Sequence, residues 1–151
     1  MYEGLKNHGL QPYLDCKSIR IGEDCWKSIE DGIKNTPIAV VVFSERYAES
    51  EWCLKELHVM LEAREAQTRS HSCKDILPIF YNVEPRDVRN PERGKFEKGF
   101  EKLKGKFEEK IIEEWKADLK KASSLMGWEH SDTSTRYFIS IMYHVVKWFG
   151  C

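Results

Sequence analysis

Two short apolar runs interrupt a chain that is otherwise polar and helical in pattern. Residues Ile38–Phe43 and 76–81 are apolar almost throughout, and the first is rich in β-branched residues, which is typical of parallel strands covered on both faces. A shorter extended segment is predicted over 11–14. Pro78 removes one backbone donor from the second run, so it favours an edge position for that strand.

Most of the remaining sequence shows helical periodicity. Tyr2 and Leu5 open a helix pattern that Gly9 ends, and Asp24 can cap a helix whose apolar positions recur at helical spacing from Trp26 to Ile33. Further helices are predicted from Ser44 or Ser50 to about Ala66 and over 96–107, 111–126 and 135–149.

Strands that alternate with helices indicate an α/β fold with a parallel sheet and helices on both faces. In such sheets, ligands bind beyond the carboxyl ends of the strands. The loops that follow Leu14, Phe43 and Tyr81 are therefore the places where we expect the functional residues.

Composition and charge narrow the classes of function. The 151 residues carry 24 Lys and Arg against 25 Asp and Glu, and this balance argues against nucleic acid or an anionic membrane as a partner. No apolar run approaches the roughly 20 residues of a membrane span. The five cysteines form no CxxC pair, which argues against a zinc site, and no phosphate-binding glycine motif occurs. We expect one soluble domain, located in the cytoplasm or nucleus.

Glu56 is the carboxylate that the helical pattern singles out. Its neighbours three and four positions away, Trp52, Cys53, Val59 and Met60, are all largely apolar. A carboxylate in such surroundings loses hydration and becomes an effective acid, base or electrostatic stabiliser. The alternative is that Glu56 borders the core and extends to water.

The loop over 15–23 could supply a matching polar site. Lys17 and Arg20 could bind phosphates, Asp15 could accept hydrogen bonds from ribose hydroxyls, and Gly22 gives the backbone freedom. The alternative is an ordinary solvated loop.

Two long motifs resemble a known family. Residues 42–57 (VFSERYAESEWCLKEL) and 77–89 (LPIFYNVEPRDVR) resemble the signatures of plant TIR (Toll/interleukin-1 receptor) domains. The loop over 14–23 is similar to the loop after the family's second strand. The pair Gly127 and Trp128 is similar to the end of a helix in that family.

The resemblance implies a flavodoxin-like three-layer fold and a role in plant immune signalling. It also implies an enzyme without a prosthetic group that uses NAD⁺ as substrate and cleaves its nicotinamide–ribose bond. The family's catalytic glutamate matches Glu56. The expected substrate contacts are Asp15, Lys17, Arg20, Gly22, Ser44, Trp52 and Cys53. The expected partners are other TIR domains and a larger nucleotide-binding leucine-rich-repeat receptor.

The same resemblance places Met1 inside the family's first helix. The first strand, which is central in the 2-1-3-4-5 order of flavodoxin-like sheets, is therefore expected to be missing. One alternative function is a catalytically inactive interaction module that uses the loop over 15–23 and the helix over 138–148. A phosphoacceptor or flavin protein of the same fold is a weaker alternative. Asp15 has no acidic cluster beside it, which argues against the phosphoacceptor, and a colourless purified protein would exclude the flavin protein.

Overall fold

The computed structural model describes residues 25–67 and 75–130, which build a parallel sheet flanked by helices. The elements are α1 (Cys25–Asn35), β1 (Ile38–Phe43), a 3₁₀ turn (Tyr47–Glu49), α2 (Glu51–Gln67), β2 (Asp75–Tyr81), α3 (Pro85–Arg89), α4 (Glu97–Leu103), α5 (Glu109–Ser123) and β3 (Trp128–His130). The α/β class, both apolar strands and the first two of these helices are confirmed. The elements predicted over 1–24 and 135–149 lie outside the described residues.

The sheet has the order β1-β2-β3, and both pairings are parallel. The edge position predicted for the strand that contains Pro78 is therefore wrong, because β2 lies between the other two strands. Pro78 pairs with Val41 of β1, whereas β3 begins opposite Ile79. The ladder with β3 thus starts one residue beyond the proline, where backbone N–H groups are available.

The strand β3 was not predicted from the sequence. The resemblance placed the end of a helix at Gly127 and Trp128, but α5 ends at Ser123 and Gly127 leads directly into β3. A Cβ atom on Gly127 would lie 2.4 Å from the carbonyl oxygen of Pro78. Only glycine therefore lets the chain pass this close to β2 and pair with it.

Two other helix boundaries differ from the prediction. The helix predicted over 96–107 ends at Leu103, and Gly105 follows with a φ of +82°, which reverses the chain before α5. The helix predicted over 111–126 starts at Glu109 and ends at Ser123. The five-residue helix α3 was missed; its first turn is fixed by the Glu84 amide, which donates to the Asp87 carboxylate at 3.0 Å.

The main core lies between one face of the sheet and the helices α2, α4 and α5. Phe43 and Phe80 stack across β1 and β2 with ring centroids 5.7 Å apart, and both are almost fully buried. The helices bury Leu57, Phe100 and Leu119 against this pair. On the other face of β1, Val40 remains 37% exposed, so the coverage predicted for both faces is incomplete at that position.

An ion pair joins α2 to α5 within the described structure. His58 Nδ1 lies 2.7 Å from the carboxylate of Asp118, which is only 5% exposed. Burial raises the pKa of Asp118, while the hydrogen bond and charge of His58 act in the opposite direction. The carboxylate therefore depends on His58 to offset its lost hydration.

We expect His58→Ala to lower the free energy of unfolding by about 1–2 kcal/mol at pH 6. This loss is smaller than the ~3–5 kcal/mol that follows when one partner of a fully buried ion pair is removed, because the imidazole is partly exposed. A raised folded-state pKa of Asp118 means that stability is lost as pH rises through that pKa. The deficit of His58→Ala should therefore shrink at pH 3.5, because protonation of Asp118 removes the charge that His58 offsets. Urea unfolding at both pH values measures this; an equal deficit at both would contradict it.

Candidate active site

A cavity of about 690 Å³, lined mainly by charged and polar residues, lies beyond the carboxyl ends of the three strands. Ser44 follows β1 in the chain. Tyr81 is the last residue of β2, Asn82 follows it, and Glu129 belongs to β3. This is the end of a parallel sheet at which α/β proteins bind their ligands. A cavity of this volume matches the size of a small-molecule site.

The wall of this cavity contains charges of both signs. Lys95 lies 2.8 Å from the carboxylate of Glu45 and also donates to the carbonyl oxygen of Asn82, so it links the loops after β1 and β2. Asn82 adopts a φ of +54°, a left-handed conformation that asparagine tolerates better than most residues. These contacts connect the two loops at the cavity wall.

The first turn of α2 begins on a side-chain cap. The hydroxyl of Ser50 accepts a hydrogen bond from the Cys53 amide at 3.3 Å, as expected of a residue that precedes a helix. Of the two serines considered from the sequence, Ser50 is therefore the one that caps α2. The carbonyl of Ser44 instead accepts the amide of Tyr47 at 3.0 Å and starts the 3₁₀ turn.

Glu56 lies half-buried on the second turn of α2. Burial of the phenol raises the pKa of Tyr47 well above its usual value. The electrostatic influence of Cys53 and then of Glu56 adds smaller increases in the same direction. Tyr47, Cys53 and Glu56 lie close together along the chain around the start of α2, where the Tyr47 hydroxyl also donates to the Cys53 carbonyl.

Trp52 presents an accessible aromatic surface one turn before Glu56. Its side chain is 44% exposed, although the Trp26 ring lies 5.7 Å away and the Lys55 ammonium lies 5.4 Å from the ring centroid. Positions 52 and 56 project from the same side of a helix. An exposed indole and a half-buried carboxylate therefore neighbour each other on α2.

The structure divides the predicted site residues into three groups. Trp52, Cys53 and Glu56 lie together on the first two turns of α2. Ser44 lies in the wall of the cavity, whose lining does not include those three residues. The predicted residues Asp15, Lys17, Arg20 and Gly22 lie outside the described residues.

Sequence reasoning missed Tyr47 as part of this site. Its hydroxyl donates to the Cys53 carbonyl at 2.9 Å. The only signal in the sequence was an aromatic residue six positions before Cys53, and that spacing corresponds to no regular secondary structure. The 3₁₀ turn creates the contact.

The described residues include neither a cluster of metal ligands nor a helix that could span a membrane. In the parts of the chain that the structure describes, no three His, Cys, Asp or Glu side chains are arranged to hold a metal ion. Within the same segments, every helix is too short or too polar to cross a bilayer.

A parallel sheet flanked by helices defines an α/β domain, and its described cavity lies at the loop end of the sheet. The profile of the TIR domain family matches residues 1–149, and the chain belongs to this family. In a solved structure described as the TIR domains of the activated Roq1 resistosome recognizing the effector XopQ, the fold superposes with a TM-score of 0.78. That match has 26% identity and covers 97% of this chain and 86% of the other. The predicted fold class is thereby confirmed.

The sequence is similar to several plant proteins. It is 35% identical over 129 residues to TMV resistance protein N of Nicotiana glutinosa, a match that covers 84% of this chain and 11% of that protein. It is 35% identical over 137 residues to disease resistance protein RUN1 of Vitis rotundifolia, with coverages of 87% and 10%. It is 36% identical over 92 residues to the probable 2′ cyclic ADP-D-ribose synthase BdTIR of Brachypodium distachyon, with coverages of 61% and 37%. The chain thus spans about a tenth of the length of the resistance proteins that it matches.

Proposed function

We propose that this TIR domain cleaves the bond between nicotinamide and ribose in NAD⁺ and acts in plant immune signalling. The observation that carries the proposal is the half-buried carboxylate of Glu56 one helical turn from the exposed indole of Trp52. The similarity to a probable 2′ cyclic ADP-D-ribose synthase supports the reaction class, because that name describes a cyclic form of ADP-ribose, the part of NAD⁺ that remains when nicotinamide leaves.

The reaction breaks one C–N bond. The electron pair of the bond between ribose C1′ and the pyridinium nitrogen leaves with nicotinamide, which departs as a neutral molecule. The ribose then carries positive charge shared between C1′ and the ring oxygen, as in glycoside cleavage. Attack by water at C1′ gives ADP-ribose and a proton, whereas attack by a hydroxyl of the same molecule gives a cyclic product. NAD⁺ is the substrate, and the reaction requires no prosthetic group.

Glu56 is the group that we assign to the developing charge. A carboxylate that has lost part of its hydration interacts more strongly with a nearby cation than a fully solvated one does. Its position after the first turn of α2 fixes it on a regular element rather than on a loop. Cys53 lies beside it, and Ser44 and the loop over 15–23 are the proposed contacts for the rest of the dinucleotide.

The test is nicotinamide release by the purified chain at increasing protein concentration, with products identified by mass spectrometry. We expect release that rises more steeply than linearly, because we also propose that the domain acts through self-association. The resistosome description of the structurally similar TIR domains supports that expectation. The proposed partners are a second copy of the domain and a nucleotide-binding leucine-rich-repeat receptor, in the cytoplasm or nucleus.

We expect Trp52→Ala to raise KM for NAD⁺ about tenfold, since stacking of a base on an aromatic ring contributes ~1–3 kcal/mol. The effect on kcat should be smaller, because the indole contacts a ring rather than the reacting bond. Trp52→Phe keeps an aromatic face and should give an intermediate KM. A KM that stays unchanged in Trp52→Ala would remove this residue from the binding site.

An interaction module without catalysis is the second candidate. It is favoured by the small share of the resistance proteins that this domain occupies, since their other regions could supply activities of their own. It predicts concentration-dependent oligomers in light scattering with no nicotinamide release. Turnover that depends on Glu56 excludes it.

A further inference from the structure

Both backbone polar groups of Cys53 are held by side chains of the segment that precedes α2. The Cys53 amide donates to the Ser50 hydroxyl at 3.3 Å. The Cys53 carbonyl accepts the hydroxyl of Tyr47 at 2.9 Å. We name the arrangement of Tyr47, Ser50 and Cys53 the Cys53 clamp.

The clamp is anchored to the carboxyl end of β1. The Tyr47 ring packs edge-on against Phe43, the last residue of that strand, with centroids 4.8 Å apart. Phe43 is fully buried and Tyr47 is 9% exposed. The Tyr47 amide also donates to the carbonyl of Ser44 at 3.0 Å. The phenol therefore has little freedom to move. Its hydrogen bond to the Cys53 carbonyl fixes the first turn of α2 relative to the end of β1.

Glu56 follows Cys53 by three residues, so the clamp and the carboxylate lie within one helical turn. A side-chain tip lies about 5–6 Å from a helix axis, and a 10° rotation of α2 would move it by about 1 Å. A displacement of this size can reduce a reaction rate about 100-fold. Contacts that fix the rotation of α2 therefore control where Glu56 is placed.

We propose that Tyr47 is a positioning residue for Glu56, because its buried hydroxyl fixes the rotation of the first turn of α2 through the Cys53 carbonyl. This inference rests on the proposed function, in which Glu56 stabilises the ribose cation. Because Tyr47 is buried, we assign it no contact with the substrate or the reacting bond. Its removal should therefore change the rate of the chemical step and leave substrate binding almost unchanged.

The experiment compares Tyr47→Phe with Ile112→Val in the full chain. Tyr47→Phe keeps the ring that packs on Phe43 and removes only the hydroxyl. Ile112→Val removes one buried methylene from α5, a helix that contributes no residue to the clamp, and provides a control for a modest loss of stability. We expect Tyr47→Phe to lower kcat about fivefold to tenfold with KM changed less than twofold. The control should keep the kcat of the unmodified chain at a similar unfolding temperature.

Amide hydrogen exchange gives a second measurement that needs no turnover. We expect the amides of residues 54–57 to exchange about fivefold faster in Tyr47→Phe than in Ile112→Val, while α5 exchanges alike in both. A kcat of Tyr47→Phe equal to that of the control, or unchanged exchange over 54–57, overturns the positioning role.

The proposed function fails separately. It fails if Glu56→Gln turns over NAD⁺ as fast as the unmodified chain, or if no variant releases nicotinamide. In either case the exchange of residues 54–57 still decides whether the Tyr47 hydroxyl holds the start of α2.

Discussion

Glu56→Gln is expected to lower the kcat of nicotinamide release by 100-fold to 1,000-fold. The substitution keeps the size of the side chain and removes its negative charge, so the ribose cation loses the group assigned to stabilise it. Losses of this size are typical when a single electrostatic contact to the transition state is removed. KM for NAD⁺ should change little, because the ground state carries no full charge on the ribose carbon.

The matched control is Glu62→Gln on the same helix. Glu62 is largely exposed and lies 3.5 Å from the imidazole of His58, so its substitution removes an equal charge six residues from Glu56. We expect it to keep nearly full activity. Unfolding temperatures of both variants should stay close to that of the unmodified chain. Equal kcat values for the two variants would remove Glu56 from the mechanism.

Gly127→Ala is expected to produce the largest loss of stability. The added Cβ would lie 2.4 Å from the carbonyl oxygen and 2.6 Å from Cγ of Pro78, and neither atom belongs to a flexible side chain. The chain before β3 must then move away from β2 and weaken the pairing that begins at Ile79. We expect a loss of about 3 kcal/mol, at the upper end for an overpacked site.

Thermal unfolding measures this effect against Gly94→Ala. At Gly94 a Cβ would meet no atom within 4 Å, but φ is +70°, so that variant carries the cost of a left-handed alanine alone. This cost is about 1 kcal/mol. Gly127→Ala should therefore unfold several degrees below Gly94→Ala. If the two variants unfold at the same temperature, the close approach of Gly127 to β2 does not limit stability.

The sequence predicted the parts of the fold that depend on local pattern. The β-branched run Ile38–Phe43 gave a strand with its correct bounds, because a buried parallel strand requires apolar residues at consecutive positions. The helix α2 was predicted to follow Ser44 or Ser50 and to run to about Ala66, and in the structure its leucines at helical spacing, Leu54, Leu57 and Leu61, are buried.

The remaining differences arise from tertiary contacts. β3 has three residues, too few for any period to show, and it exists because Gly127 lets the chain approach Pro78. Pro78 was placed at an edge because its lost donor was judged without knowledge of the register. The register starts the pairing with β3 one residue later.

The candidate site was partly predictable because some of its residues follow a local helical pattern. Helical spacing alone placed Trp52, Cys53 and Glu56 on neighbouring turns, and the structure places them so on α2. The role of Tyr47 was not predictable, since it depends on a 3₁₀ turn that carries the phenol back to the Cys53 carbonyl. Whether Glu56 is catalytic stays a prediction.

The most direct measurement incubates the unmodified chain with NAD⁺ labelled in the nicotinamide ring and quantifies every product by mass spectrometry. The proposed function predicts labelled nicotinamide in equal amount to ADP-ribose plus its cyclic forms, at protein concentrations where the domain associates. Intact NAD⁺ under those conditions would contradict it and leave a domain that acts through association alone.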